Sequence, residues 1–97
     1  MLEKQIEAKV TEYARAKGFL AHKFTSPNRA AVPDRMLVHP SGLVFFIEFK
    51  RAGKLPTPAQ AREHARLRAH NVSVYVVDDV EAGKLVIDTV NNACLGF

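Results

Sequence analysis

The chain has 97 residues, 47% hydrophobic and 25% charged, with one cysteine and no tryptophan; this suits one modest domain and is too apolar for a disordered chain. No apolar run approaches the ~18 residues of a membrane span, and Met1-Leu2-Glu3-Lys4 opens without a secretory h-region. The net charge of +4 is uneven: residues 1–50 carry eight Lys/Arg against five Asp/Glu, residues 51–70 five against one, and residues 71–97 one against four, so the first 70 residues hold +7 and suit a polyanionic partner, nucleic acid first.

Residues 3–17 read as a helix, with Ile6, Val10, Tyr13, Ala14 and Lys17 at i, i+4, i+7 and i+8 spacing and Gly18 as the stop. Phe19–Phe24 alternates weakly and reads as a strand, followed by the polar loop Thr25–Arg29. Pro33 forces Val32 extended, and a strand starts at Asp34 and runs through Val38. A turn at His39-Pro40-Ser41-Gly42 leads into Leu43–Lys50, whose apolar first five residues mark a central strand covered on both sides. Thr57 as N-cap, Pro58 at the first helical position and Gln60 in a capping box open a second helix that ends near Asn71. Val72–Val77 is a further strand, and the 21 residues between Lys50 and Val72 give room for a crossover, so these two strands should run parallel. Asp78–Glu81 reads as the start of a turn or short helix, and Lys84–Ile87 as a last edge strand. The expected fold is therefore α/β, a mixed sheet flanked by helices, in a single domain over residues 1–97. The single Cys94 has no internal disulfide partner, which fits a reducing, cytoplasmic location.

Chemistry concentrates at one place. In a hairpin, the start of the first strand lies beside the end of the second, so Asp34 and Glu48 are neighbours. Glu48 and Lys50 share one strand face, Ile47 and Phe49 the other. Two adjacent carboxylates repel, and a divalent cation is the natural remedy. Lys50 beside such a cation can orient a water and neutralise charge developing on phosphorus, so the ingredients match metal-assisted phosphodiester hydrolysis. Read separately, an Asp after Pro is a turn residue and a Glu-x-Lys an ion pair; the hairpin spacing is what joins them. Four histidines, His22, His39, His64 and His70, lack zinc spacing; His64 stands one turn after Gln60 but reads as a surface residue.

Pro33-Asp34 with Glu48-Phe49-Lys50 resembles the PD-(D/E)xK nuclease motif. Lys23–Pro27, Val32–Arg35, Phe46–Lys50 and Gln60 together resemble the VRR-NUC (virus-type replication and repair nuclease) domain, over residues 3 to about 80. The resemblance implies a restriction-endonuclease-like core and a Mg²⁺- or Mn²⁺-dependent DNA endonuclease. Its stand-alone members are mostly phage or prophage proteins similar to Holliday junction resolvases, acting as homodimers on branched DNA, which would place this chain in a host cytoplasm. It also implies that Asp34, Glu48 and the Phe49 backbone carbonyl hold the metal, that Lys50 is the catalytic lysine, and that Gln60 joins the site. A carboxylate of the first helix would complete it. The resemblance favours Glu7, whose 11-residue spacing to Gly18 is similar to that in the resolvases, and Glu3, on the same helix face, is the alternative. Gln60 has an equally good role in the capping box. Lys23, Arg29, Arg35, Arg51 and Lys54 are candidate phosphate contacts, with Arg62 and Arg66 extending the track. Leu85, Ile87, Leu95 and Phe97 are available to form a dimer interface or to close the core. One departure from the family is Ala30-Ala31-Val32 where a glycine is usual; a positive φ there would strain an alanine by ~1 kcal/mol or more.

Overall fold

The computed structural model describes residues 1–95; Phe97 lies outside the described residues. Helix α1 (Glu3–Ala16) leads into strands β1 (Leu20–Lys23), β2 (Arg35–Val38) and β3 (Val44–Phe49), then helix α2 (Pro58–Ala69), strand β4 (Val74–Val77) and helix α3 (Val80–Cys94). The strands form one sheet in the order β1-β2-β3-β4, antiparallel except for the parallel pair β3–β4. That parallel pair follows from the α2 crossover, and β3 is the interior strand that its apolar run requires.

The alternation of β3 sorts the layers. Phe45, Ile47 and Phe49 face a core built with Ile6, Val10 and Ala14 of α1 and Ile87, Val90 and Cys94 of α3. Each large aliphatic side chain buried there contributes roughly 1.5–3 kcal/mol. The opposite face carries Phe46 and Glu48, and α2 lies over the Glu48 end of it. Terminators act as expected. Gly18 (φ 93°) follows α1, and Asn71 adopts the left-handed conformation (φ 65°) after α2. Asn71 is the sole non-glycine with positive φ among the described residues, so Ala30 and Ala31 carry no left-handed strain.

One element departs from expectation. Residues 84–87 are not an edge strand; they lie inside the 15-residue α3. Asp79 caps that helix, its carboxylate accepting from the N–H groups of Glu81 and Ala82. Gly83, Ile87, Val90 and Cys94 recur at helical spacing on the buried side, while Leu85 and Leu95 face solvent. The β-branched Val86-Ile87 pair mimics a strand locally, but only the helical period puts the apolar residues on one side. Among the described residues no helix is long and apolar enough to cross a membrane.

Gly83 sets the approach of α3 to α1. A β-carbon there would overlap Val10 Cγ2 and stand 3.0 Å from Val10 Cγ1 and 3.1 Å from Val77 Cγ1. Val10 is β-branched in a helix and has essentially one rotamer, so it cannot swing clear. Gly83→Ala gains ~1 kcal/mol of helix propensity but incurs ~1–3 kcal/mol of overpacking. A lower urea midpoint than wild type is expected; an equal or higher one would show that α1 and α3 are not in close contact at this residue.

Candidate active site

Three carboxylates meet where the β2–β3 hairpin ends reach the first turn of α1. Ligand oxygens of Glu3, Asp34 and Glu48 lie within 4.8 Å of one another. The register Arg35↔Ile47 puts Asp34 opposite Glu48 one step on. Asp34 is anchored on both sides: its Oδ2 accepts the Phe49 N–H at 2.7 Å, and its carbonyl accepts from Phe24 N–H at 2.9 Å. The Phe49 backbone therefore stands at the cluster, as the Asp34 contact requires. Pro33, fully buried, presets the chain entering Asp34.

Glu48 is only 1% exposed. Burial raises its carboxyl from the usual carboxylate range to about 8, the adjacent Asp34 and then Glu3 push the same way, and Lys50 pulls it back. The site thus concentrates negative charge that a proton or a cation must offset. The donors are all hard oxygens, a set suited to a divalent cation such as Mg²⁺ or Mn²⁺ rather than a soft metal.

Gln60 serves two roles at once. Its Oε1 accepts from the Thr57 N–H at 2.9 Å in the capping box, while its Nε2 donates to Glu48 Oε2 at 3.3 Å. The cap and the site use opposite ends of one amide. Lys50 follows directly, its backbone N–H donating to the Val77 carbonyl and its charge felt by Glu48.

The other expectations fare unevenly. Glu7 does not join the carboxylate cluster. Lys23 and Arg35, cross-strand partners facing α1, both reach it: Arg35 Nε donates to Glu7 Oε2 at 2.6 Å and Lys23 Nζ lies 3.8 Å away. Arg35 is therefore not a free phosphate contact, since its side chain is 15% exposed and committed to Glu7 and the Ala21 carbonyl. Lys23 stays largely exposed despite its ion pair. Arg29 is half exposed and reaches the buried Glu63 at 3.4 Å. Arg51 and Lys54 are exposed and, with Met1, Leu2, Gln5 and Gly53, line an open groove of about 590 Å³ beside the site. Arg62 and Arg66 line a second groove, of about 400 Å³, with Arg29.

His64 is a correction. It is not a surface residue but 1% exposed, with Nε2 3.4 Å from Glu48 Oε1. Burial, then the charges of Arg68 and Lys50, holds its imidazole below the usual range, and the direction of its hydrogen bond with Glu48 Oε1 is set by the ring's tautomer. The signal was present in sequence as the four-residue step from Gln60, which puts both side chains on one face of α2. His39 is also buried, between Ser41 Oγ and Asn91 Oδ1. It pins the β2–β3 turn to α3.

Comparison with known proteins places the fold among nucleases. No family model matches the chain. A curated protein named "Putative nuclease p44", of Acyrthosiphon pisum secondary endosymbiont phage 1, is 42% identical over 84 residues, covering 87% of this chain and 90% of that one. A solved structure of a "VRR_NUC domain" superposes with a TM-score of 0.83 at 30% identity, covering 89% of this chain and 94% of that chain. A second, a "VRR_NUC domain protein", gives 0.73 at 18% identity over 91% and 86% of the two chains, a likeness of fold. The four-stranded mixed sheet with its three helices is accordingly an α/β, restriction-endonuclease-like fold.

Proposed function

The chain belongs to the VRR-NUC family, and from that premise we propose that residues 1–97 act as one domain, a metal-dependent endonuclease that hydrolyses DNA phosphodiesters, with branched DNA as the preferred substrate. The observation that carries this reading is the convergence of Glu3, Asp34 and Glu48 beside Lys50, with Glu48 buried and burdened with charge. Asp34, Glu48, Glu3 and the Phe49 carbonyl would hold Mg²⁺ or Mn²⁺, which supplies Lewis-acid polarisation of the phosphate and a water acidic enough to attack it. Lys50, whose charge reaches Glu48, would orient that water and offset the negative charge that builds on the phosphoryl oxygens. Gln60 holds Glu48 Oε2, keeping the carboxylate aligned. Water adds to phosphorus and the bond to the leaving ester oxygen breaks.

Arg51 and Lys54 on the β3–α2 loop supply phosphate contacts nearest the site, and Lys23, Arg29, Arg62 and Arg66 extend them. Contacts of this kind, to phosphates, carry no base information, so recognition rests on DNA shape. Two copies would double this surface and provide two cutting sites for a symmetric junction. The row Leu20, Val38 and Val44, in register across β1, β2 and β3 on the face that α2 leaves open, is the apolar surface available for pairing. A monomer mass at micromolar concentration would end that part of the proposal.

The direct test is cleavage of four-way junction, flap and linear duplex DNA with Mg²⁺ or Mn²⁺, alongside Asp34→Asn. Metal-dependent cutting, at least tenfold faster on branched than on linear DNA and lost in the variant, is expected. Wild type that leaves every substrate as intact as Asp34→Asn refutes the enzyme, and binding without cutting would identify a non-catalytic DNA-binding module instead.

A further inference from the structure

Helix α2 is attached to the sheet in an unusual way. A helix over a sheet ordinarily buries an apolar stripe. Here the buried residues of α2 are Glu63 and His64, and Leu67 is only half-buried. A leucine in place of His64 would bury apolar area with no polar group to satisfy, whereas a buried imidazole has to be hydrogen-bonded to avoid a desolvation penalty. Its partner is the one carboxylate on the sheet that most needs a fixed orientation. The two oxygens of Glu48 are held separately, Oε2 by Gln60 and Oε1 by His64, from residues one turn apart on the same helix. Both His64 and Glu48 are 1% exposed, so water does not compete for either oxygen. A carboxylate held on both oxygens from behind has one plane and one rotamer, and presents its remaining lone pairs toward Asp34 and Glu3.

We propose that His64 is a positioning residue for the nuclease site, donating Nε2–H to Glu48 Oε1 so that, with Gln60 on Oε2, the carboxylate is preset for a divalent cation. The proposal rests on the nuclease reading above and assigns His64 no contact with substrate. It separates His64 from a mere core residue, because a positioning role acts on metal affinity and a packing role acts on stability.

The full-length chain is titrated with Mn²⁺ alone by calorimetry, as wild type, His64→Leu, His64→Gln and Asp34→Asn, with folding checked by circular dichroism. His64→Leu should bind Mn²⁺ ~10- to 100-fold more weakly than wild type, while metal-saturated cleavage recovers most of its rate. His64→Gln, which keeps an N–H donor on a flexible arm, should recover affinity to within a few-fold. A folded His64→Leu that binds Mn²⁺ as wild type does, including one that only melts at lower temperature, overturns the positioning role. Wild type that binds Mn²⁺ no better than Asp34→Asn overturns the nuclease reading itself. Should His64→Leu fail to fold, ¹⁵N NMR of wild type decides: the expected result is an Nε2–H tautomer whose resonance moves on titration with Mg²⁺. An Nδ1–H tautomer, or a resonance unmoved by saturating Mg²⁺, overturns it.

Discussion

Glu48→Gln is expected to lose cleavage by a thousandfold or more, ~4 kcal/mol of transition-state stabilisation, while the metal-free protein becomes more stable at pH 8.5. The two effects have opposite signs because one residue is responsible for both. As a ligand, Glu48 contributes a charge that the amide lacks. As a buried group without a cation, it is an expense, since its carboxyl sits at about 8 against a usual value of 4.5. Between those values the unfolded chain is already ionised and the folded chain still binds a proton. Folded wild type without metal therefore loses stability as pH rises from about 4.5 through 8, by up to ~1.4 kcal/mol per unit of pH. Glu48→Gln has no proton to lose and should lack that slope. Its amide leaves either Gln60 or His64 facing another donor, at a cost of ~1 kcal/mol, smaller than the wild-type penalty at pH 8.5. Urea midpoints in EDTA at pH 5 and pH 8.5 check this, and Mn²⁺ should restore wild type at the higher pH. Parallel curves for the two proteins would mean that Glu48 is not ionised against its burial. A variant that cuts at a tenth of the wild-type rate would remove Glu48 from the metal site.

Glu3→Gln and Glu7→Gln should separate cleanly. Glu3 is exposed in the first turn of α1 and stands in the carboxylate cluster. Its neutralisation should lower cleavage ~100-fold, with a stability change of at most a few tenths of a kcal/mol from the helix N-terminus. Glu7 is 13% exposed and holds Arg35, itself 15% exposed. Its neutralisation leaves a poorly solvated guanidinium short of its charged partner, at ~1–2 kcal/mol, and the folded variant should cut nearly as well as wild type. Paired measurements of rate and urea midpoint distinguish the two. The reverse pattern, rate lost at Glu7 and stability lost at Glu3, would put Glu7 in the site.

Much of the architecture was legible because it is written in local chemistry. Thr57, Pro58 and Gln60 specify a helix start through contacts three residues apart, and they form as expected. Pro33-Asp34 and Glu48-Phe49-Lys50 are brought together by a hairpin whose register follows from a short turn and a period of two. The tail misleads for a local reason as well: four residues, Lys84–Ile87, favour a strand, and only the spacing of Gly83, Ile87, Val90 and Cys94 over twelve residues shows the helix. Gln60 need not choose between the cap and Glu48, because its amide has two ends: Oε1 accepts from Thr57 N–H and Nε2 donates to Glu48 Oε2.

By itself the sequence determined the elements, the parallel β3–β4 pair and the meeting of Asp34 with Glu48, since caps, alternation and turns act between near neighbours. The tertiary structure alone decided which carboxylate of α1 reaches that pair, which basic residues stay free, and whether His64 faces water or Glu48. Those choices depend on how each helix is rotated and seated on the sheet. For α1, that seating comes from Ile6, Val10 and Ala14 packing against β3 and against Gly83 of α3, some 70 residues away along the chain. Glu3 and Glu7 share one helix face, so no local pattern separates them; the position of Lys23 and Arg35 beneath the second turn does.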